Sequence, residues 1–237
     1  MEYLSNIELY ICTFISDDGK YFEVSGDELH HAVNVMRNKV GDNIFATNGT
    51  GDIFEGTITR INKENISAKI VKSFSYKNEL NNFTFCIPNL KNPERLKFAI
   101  EKSIELGITN FKIFNSERTI SKNINIERLR KIALASMKQS LHSYFPLIET
   151  AKSVKELLDS NYQTILFDQS SKLALGEHKF DNVNKYLFVF GPEGSLSDNE
   201  LMMLRGNLIF NLGNYRLRSE TAIVKSASLL SAIIKND

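Results

Sequence analysis

Hydrophobic positions change their spacing once along the chain. Between residues 9 and 72 they fall in short segments (9–14, 21–24, 43–46, 53–61 and 66–72) rich in aromatic and β-branched residues. The separators are turn formers: Asp17-Asp18-Gly19, Gly41-Asp42, Asn48-Gly49-Thr50-Gly51 and the polar stretch 62–65. This spacing predicts strands, with a hairpin at 48–51. One helical period interrupts them. Ser25-Gly26-Asp27-Glu28 reads as a capping box, and Leu29, Ala32, Val33 and Met36 would share one face of a helix reaching about Asn38. Short strands around one helix predict a small, partly closed barrel.

From residue 83 the period changes, and strand patterns alternate with helical ones. The predicted strands are 83–90, 110–114, 164–168, 186–190 and 208–212. Asn92-Pro93 supplies a cap and a first-turn proline for a helix whose Leu96, Ala99, Ile100, Ser103 and Ile104 face inward, and Gly107 stops it. A second helix is predicted over 127–141, with Leu129, Ile132, Ala133, Ser136 and Met137 inward and Arg128, Arg130 and Lys131 exposed. A short helix follows at 154–158. Ser197-Asp198-Asn199-Glu200 opens another, running to about Gly206. The last, 219–235, is apolar almost all round and must be buried on most sides, in its own domain or against a second subunit. Alternation of this kind predicts an α/β domain with a mainly parallel sheet covered on both faces. The polar, aperiodic stretch 73–82 places the boundary, giving an N-terminal domain over 1–73 and a C-terminal domain over 74–237.

Charge adds an asymmetry that the net value of +1 hides. Residues 1–73 hold 7 Lys/Arg against 11 Asp/Glu, net −4, whereas 74–237 hold 22 against 17, net +5. Lys112, Arg118, Lys122, Arg128, Arg130, Lys131 and Lys138 form a basic run interrupted only by Glu117 and Glu127. Such a run is a solvated face or a surface for phosphates. Cys12 and Cys86 lie far apart in no metal or redox spacing, and the start of the chain lacks a basic leader, so a reduced, cytoplasmic protein is expected. His30 and His31 point about a hundred degrees apart on a helix and would not chelate one ion; no metal is expected.

Two glycine-bearing turns carry the candidate chemistry. Each follows an apolar strand and feeds a helix: Gly191-Pro192-Glu193-Gly194, and Leu212-Gly213-Asn214-Tyr215-Arg216-Leu217-Arg218-Ser219-Glu220-Thr221. Neither is a Walker loop, a dinucleotide fingerprint or a nucleophile elbow. By itself the first is a tight turn joining two elements. In the second, Arg216 and Arg218 beside a helix start suit an anionic or nucleotide partner, or an arginine–glutamate pair that pins the turn.

The full set of motifs resembles the bacterial 16S rRNA uracil-N3 methyltransferases of the SPOUT superfamily. It comprises Gly191-Pro-Glu-Gly194, then Ser197 and Glu200, then Leu212-Gly213 and Leu217-Arg-Ser-Glu-Thr-Ala222. Upstream, His31-Ala-Val-Asn-Val-Met-Arg37 with Val40-Gly-Asp42, Glu101-Lys-Ser-Ile-Glu-Leu-Gly107 and Met137-Lys-Gln-Ser140 are similar to other stretches of the family, in order. Three positions differ: Ser195 stands where the family has a second glycine, His142 where it often has arginine, and Asn214-Tyr215-Arg216 where it has Pro-Arg-Ile. The resemblance implies a PUA-like, RNA-binding N-terminal β-barrel and a SPOUT domain with a deep trefoil knot. It also implies a homodimer that uses S-adenosyl-L-methionine to methylate uridine N3 in 16S rRNA of the small ribosomal subunit.

On that basis Arg218, Glu220 and Glu193 are the catalytic candidates. Phe167, Phe190, Gly191, Glu193, Gly194, Leu212, Gly213, Asn214, Arg216, Leu217, Ser219 and Thr221 are the cofactor candidates. His31, Arg37, Lys39, Arg118, Arg128, Lys138 and His142 are the RNA candidates. The rival readings are a non-catalytic RNA-binding or assembly protein, and a SPOUT enzyme with another RNA target.

Overall fold

The computed structural model describes residues 4–119, 123–159, 161–181, 183–204 and 208–234. Lys122 of the basic run and the expected helix ends at Gly206 and Lys235 lie outside the described residues. The chain forms two units, Met1–Asn78 with Met137–Phe145, and Glu79–Ser136 with Pro146–Asp237.

In the first unit the elements are β1 (Leu9–Ile11), β2 (Phe14–Ile15), β3 (Tyr21–Ser25), α1 (Asp27–His30) with a π-helical turn (His31–Val35), β4 (Asn43–Thr47), β5 (Asp52–Ile61) and β6 (Asn65–Ser75). They build one sheet in the order β1-β4-β5-β6-β3-β2, antiparallel except for the β1–β4 pair. Alternate residues point inward, so Phe22, Val24, Ile44, Ala46, Ile66 and Ala68 form its core with Ala32 of the π turn. The predicted hairpin forms between β4 and β5. Asn48 Oδ1 accepts from the N–H of Thr50 (2.8 Å) and of Asp52 (3.1 Å).

Four expectations for this unit need correction. The predicted strand 9–14 is two strands at opposite ends of the sheet order. Cys12 N–H donates to Thr47 O and the next amide, Thr13 N–H, to Glu23 O, so the chain changes partners between adjacent residues. The capping box does not form. Gly26 is the cap residue at φ 63, Ser25 Oγ donates to Thr13 Oγ1 (3.1 Å), and Glu28 pairs with Lys138 (2.6 Å). The widened π turn breaks the 3.6 period, leaving Met36 exposed and ending at Arg37 in the left-handed region, φ 61. β6 also runs on to Ser75, into the stretch read as a linker.

The second unit contains β7 (Phe83–Pro88), α2 (Pro93–Glu105), β8 (Asn110–Phe114), α3 (Ile126–Gln139, whose end from Met137 belongs to the first unit), β9 (Leu147–Ala151) and a 3-10 turn (Val154–Leu157). It continues with β10 (Tyr162–Phe167), a second 3-10 turn (Leu175–Glu177), β11 (Lys185–Val189), α4 (Asp198–Met203), β12 (Leu208–Phe210) and α5 (Ser219–Ile234). Its sheet runs β12-β10-β11-β7-β8-β9 with every pair parallel. α2 buries the five predicted positions, and Asn92 Oδ1 caps Glu94 N–H at 2.9 Å. A Phe-rich core ties the centre of the sheet, with Phe85 stacked on Phe188 (5.4 Å) and Phe83 on Tyr186 (5.2 Å).

β9 was not expected. It is an edge strand whose Leu147, Glu149 and Thr150 stay exposed, so its pattern carries too few buried apolar residues to read as a strand. α5 is less fully enclosed than its composition suggests. Glu220, Ile223, Ser226, Ala227 and Leu230 form its buried face, while Val224, Leu229, Ile233 and Ile234 are half-buried. Cys12 and Cys86 are free thiols. Among the described residues no helix is long and apolar enough to cross a membrane.

Candidate functional site at the carboxyl ends of three strands

The order β12-β10-β11 sets three loops side by side at the carboxyl edge of the sheet: 168–184 after β10, 190–197 after β11 and 211–218 after β12. Parallel strands aim the free ends of their loops to one edge, where small molecules bind in α/β folds. The three loops are tied to one another. Phe167 and Phe190 stack at 4.9 Å and 11°. Gln169 Nε2 donates to Asn214 O at 3.1 Å. Ser219 Oγ donates to Gly191 O at 2.7 Å, joining the two glycine turns read from the sequence.

The loop after β10 does more than border the site. Residues 171–175 lie along the outer edge of β12, where Asn211 N–H donates to Leu173 O (2.7 Å), Leu175 N–H to Asn211 O (3.2 Å) and Ser171 Oγ to Ile209 O (2.7 Å). β12 is thus held between β10 and the continuation of β10. Asp168 begins this loop, and hydrogen bonds from the Ser170 hydroxyl and amide hold its carboxyl below the usual carboxylate range. His178 sits against Phe180 (4.7 Å) and Phe210 (4.9 Å). Burial lowers its pKa, so the fold favours the neutral ring. The unfolded chain therefore takes up the proton first as pH falls through the ordinary histidine value, about 6.5. Stability from the neutral ring is full above that pH and is lost on descent through the lowered value. A lower melting temperature at pH 5 than at pH 8 is expected, with the difference reduced in His178→Phe; an unchanged difference would remove His178 as the cause.

The first turn closes through Ser195 N–H to Pro192 O at 2.9 Å. Ser195 itself lies at φ 61, the left-handed conformation that favours glycine. The position where the family has glycine is therefore one where serine is strained. Ser195→Gly is expected to raise stability by about 0.5–1 kcal/mol, the left-handed cost less the added chain entropy. The midpoint of urea unfolding measures it.

A second set of bonds holds this turn from the side of β8. Arg118 Nη1 donates to Gly194 O at 2.7 Å. The buried carboxylate of Glu200 accepts from Ser116 Oγ (2.9 Å), Glu117 N–H (2.9 Å) and Ser197 N–H (2.8 Å), while Ser197 Oγ accepts from Glu200 N–H (3.1 Å). The predicted capping box at 197–200 forms, and its glutamate also anchors the loop after β8.

The structure brings Phe167, Phe190, Gly191, Gly194, Leu212, Gly213, Asn214, Leu217 and Ser219 to this one edge. Arg216 and Arg218 are exposed there with no ion pair among the described residues, and Glu193 and Thr221 are exposed. Glu220 differs from expectation. Among the described residues it makes no arginine–glutamate pair within the turn. One carboxylate oxygen pairs with Arg95 Nε of α2 at 3.5 Å and the other is buried without a partner among the described residues. Its place in the first turn of α5 turns it toward the α2 interface rather than toward the loops. Lys225 was missed by the sequence reading: a Cβ at Gly213 (φ +126) would lie 3.0 Å from its Nζ. It lies four residues after Thr221, on the same side of α5, a spacing that could have signalled it.

The basic run is not a free surface. Arg128 pairs with Glu94 (2.8 Å), Arg130 with Glu127 (2.8 Å) and Lys138 with Glu28 (2.6 Å), the last with both side chains mostly buried. Lys138 is a structural partner within the first unit. Also in that unit, His31 pairs with Glu8 (3.1 Å), Arg37 and Lys39 are exposed, and His142 follows Leu141 at φ 58. Among the described residues no group of three or more His, Cys, Asp or Glu could hold a metal.

Residues 78–231 match the model of an RNA methyltransferase domain, and residues 24–71 that of an RNA methyltransferase PUA domain. The chain belongs to the RNA methyltransferase family. Within that family it is 28% identical over 235 residues to Ribosomal RNA small subunit methyltransferase E of Bacillus subtilis, covering 91% of each chain. It is 26% identical over 225 residues to the protein of the same name from Rickettsia conorii, again covering 91% of each. The fold is shared with a probable rRNA-methyltransferase from Porphyromonas gingivalis (TM-score 0.80, 24% identity, 97% of this chain and 99% of that one). It is also shared with Ribosomal RNA small subunit methyltransferase E from Neisseria gonorrhoeae bound to S-adenosyl methionine (TM-score 0.82, 22% identity, 96% and 98%).

Proposed function

We propose that this RNA methyltransferase transfers a methyl group from S-adenosyl-L-methionine to N3 of a uridine in 16S rRNA of the small ribosomal subunit, in the cytoplasm. The observation that carries the reading is the trio of mutually tied loops at the carboxyl ends of β10, β11 and β12. The names of the curated relatives supply the rRNA substrate.

The loops fit the cofactor. Among the described residues the N–H groups of Gly191, Gly194 and Leu212 make no hydrogen bond, so they remain free to meet a polar ligand. Half-buried Phe167, Leu212 and Leu217 offer apolar contact beside them. Gly191 and Gly213 keep side chains off the backbone at both turns. Phe190, Asn214, Arg216, Ser219 and Thr221 complete the lining. When bound, the cofactor supplies an electrophilic methyl group on sulfur.

The chain's own task is to hold uracil in line with that methyl and to favour loss of the N3 proton. Removing the proton puts negative charge on the uracil oxygens, and the unpaired guanidinium of Arg218 answers that charge. Glu193, exposed on the first turn, accepts the proton. Glu220, bound to Arg95, acts by anchoring α5 rather than as a base. Arg118 holds the Gly194 turn in place.

β12 lies beside both β10 and residues 171–175 of the loop that follows β10, and this placement supports the reading of a deep trefoil knot. α4 leaves Leu201, Met202 and Met203 exposed, and with the half-buried apolar positions of α5 these suit a homodimer interface. Arg37, Lys39, His31 and His142 of the first unit, with Arg128, are the proposed RNA contacts. Arg128 is reached through an exposed ion pair that costs little to exchange for a phosphate.

Mass spectrometry of rRNA from cells with and without the gene tests the reading. One methyluridine is expected to vanish from 16S rRNA and to return on complementation; an unchanged set of methyluridines refutes it. Calorimetry with S-adenosyl-L-methionine separates it from a non-catalytic RNA-binding role, which predicts no cofactor binding.

A further inference from the structure

The opposite edge of the parallel sheet carries a second feature. Parallel sheets are normally covered on both faces. Among the described residues, one face of this sheet is covered toward its carboxyl half, where Cys86, Leu166, Leu187 and Val189 pack with Val154, Leu157 and Leu204. Toward the amino ends of the strands that face opens into a hollow of about 240 Å³, floored by Thr84 and Lys112 and walled by Asn110, Glu149, Tyr162 and Lys185. The register explains why these residues meet. Thr84 lies opposite Asn110, and Lys112 lies between Cys86 and Glu149, so all point to one face.

Polar groups that line the hollow are open to a ligand. The Lys112 side chain is 22% exposed, and its nearest carboxylate, Glu149, stands 4.0 Å away. The hydroxyls of Thr84 and Tyr162 make no hydrogen bond among the described residues, although Thr84 is buried. Lys112 Nζ lies 5.7 Å and Lys185 Nζ 5.8 Å from the centre of the Tyr162 ring. Two ammonium groups therefore border one aromatic ring, with the Thr84 hydroxyl in the same lining. Phosphate oxygens suit the ammonium and hydroxyl donors, and a base suits the ring. The volume holds several waters, enough for a phosphate group.

We propose that this hollow is a second nucleotide site, binding a phosphate of single-stranded RNA between Lys112 and Lys185 with a base against Tyr162. Glu149 opposes the anion and sets the affinity low. The choice of RNA as the source rests on the proposed function; the phosphate chemistry rests on the hollow alone. A strand's length, on the order of 15–20 Å, separates it from the three loops, so one RNA chain of several nucleotides would reach both.

The test is fluorescence anisotropy with an end-labelled ten-nucleotide oligouridylate, competed by uridine 5′-monophosphate and by inorganic phosphate. The variants are Lys112→Met/Lys185→Met and Glu149→Gln, checked for unchanged melting temperature and cofactor binding. The double variant is expected to bind the oligomer about tenfold more weakly, with a salt slope shallower by about 0.7, as for one phosphate of a single strand no longer neutralised. Glu149→Gln is expected to bind it severalfold more tightly. If the monophosphate and inorganic phosphate also bind in a lysine-dependent way, the phosphate site stands with a free nucleotide as its ligand. A double variant that binds all three probes like the wild type, or a Glu149→Gln that gains nothing, overturns the proposal. That failure is distinct from failure of the methyltransferase reading, which shows as absent cofactor binding in the wild type.

Discussion

Arg218→Ala is expected to slow methylation of small-subunit rRNA about 100- to 1,000-fold while leaving cofactor affinity within about twofold of wild type. The magnitude is that of removing one donor aimed at developing negative charge, once bound cofactor and uracil have displaced water from the site. The direction follows from the surroundings of the residue. Arg218 leads into α5, its carbonyl accepting from Ala222 N–H at 2.9 Å, so the backbone there is fixed. Its guanidinium has no ion pair among the described residues and is free to meet substrate. The backbone groups assigned to the cofactor do not depend on the side chain, which is why rate and affinity should separate. Arg218→Lys retains a charge but loses the planar fork, and should recover only part of the rate. Single-turnover methylation of 30S subunits, with calorimetry for the cofactor, gives both numbers. Full activity in Arg218→Ala would end its catalytic assignment.

Much of this geometry was legible in the sequence, and what escaped has a common cause. α2 could be read residue by residue because cap, proline, apolar face and terminal glycine all lie within 16 residues and agree. The strand–turn–helix units around Gly191 and Gly213 were legible for the same reason. What could not be read are ties between distant segments. Ser219 reaching Gly191 spans 28 positions, Gln169 reaching Asn214 spans 45 and Glu200 reaching Ser116 spans 84. No local period encodes them. The basic run misled in the same way, because the partners of Arg128 and Lys138, Glu94 and Glu28, are remote in sequence. Ser195 shows the reverse case. As a residue type it looked like a departure, and only its φ of 61 shows what glycine would relieve.

Glu200 carries the other large expectation, through stability and cofactor binding together. Its carboxylate is the shared acceptor for the start of α4 and the loop after β8, and it is 3% exposed. In Glu200→Ala the Ser116 hydroxyl and the Glu117 and Ser197 amides lose their acceptor in a place water barely reaches. Leaving a buried donor unpaired costs about 1–3 kcal/mol, so a loss of about 3–5 kcal/mol is expected. For a chain of this size that corresponds to a fall of about 6–20 °C in the melting of the second unit. Glu200→Gln should fall between, because its single carbonyl oxygen can keep Ser116 and Ser197 while its NH₂ faces the Glu117 amide. The loss reaches the site because Arg118, two residues after Ser116, holds Gly194 O. Once the loop after β8 loosens, the first glycine turn loses its lateral support. Cofactor affinity should then drop about tenfold, more than in Arg118→Ala, which removes one bond and leaves the loop anchored. Calorimetric unfolding and cofactor titration of the three variants decide it. A Glu200→Ala protein that melts and binds like the wild type would mean that the turn holds its shape without this network.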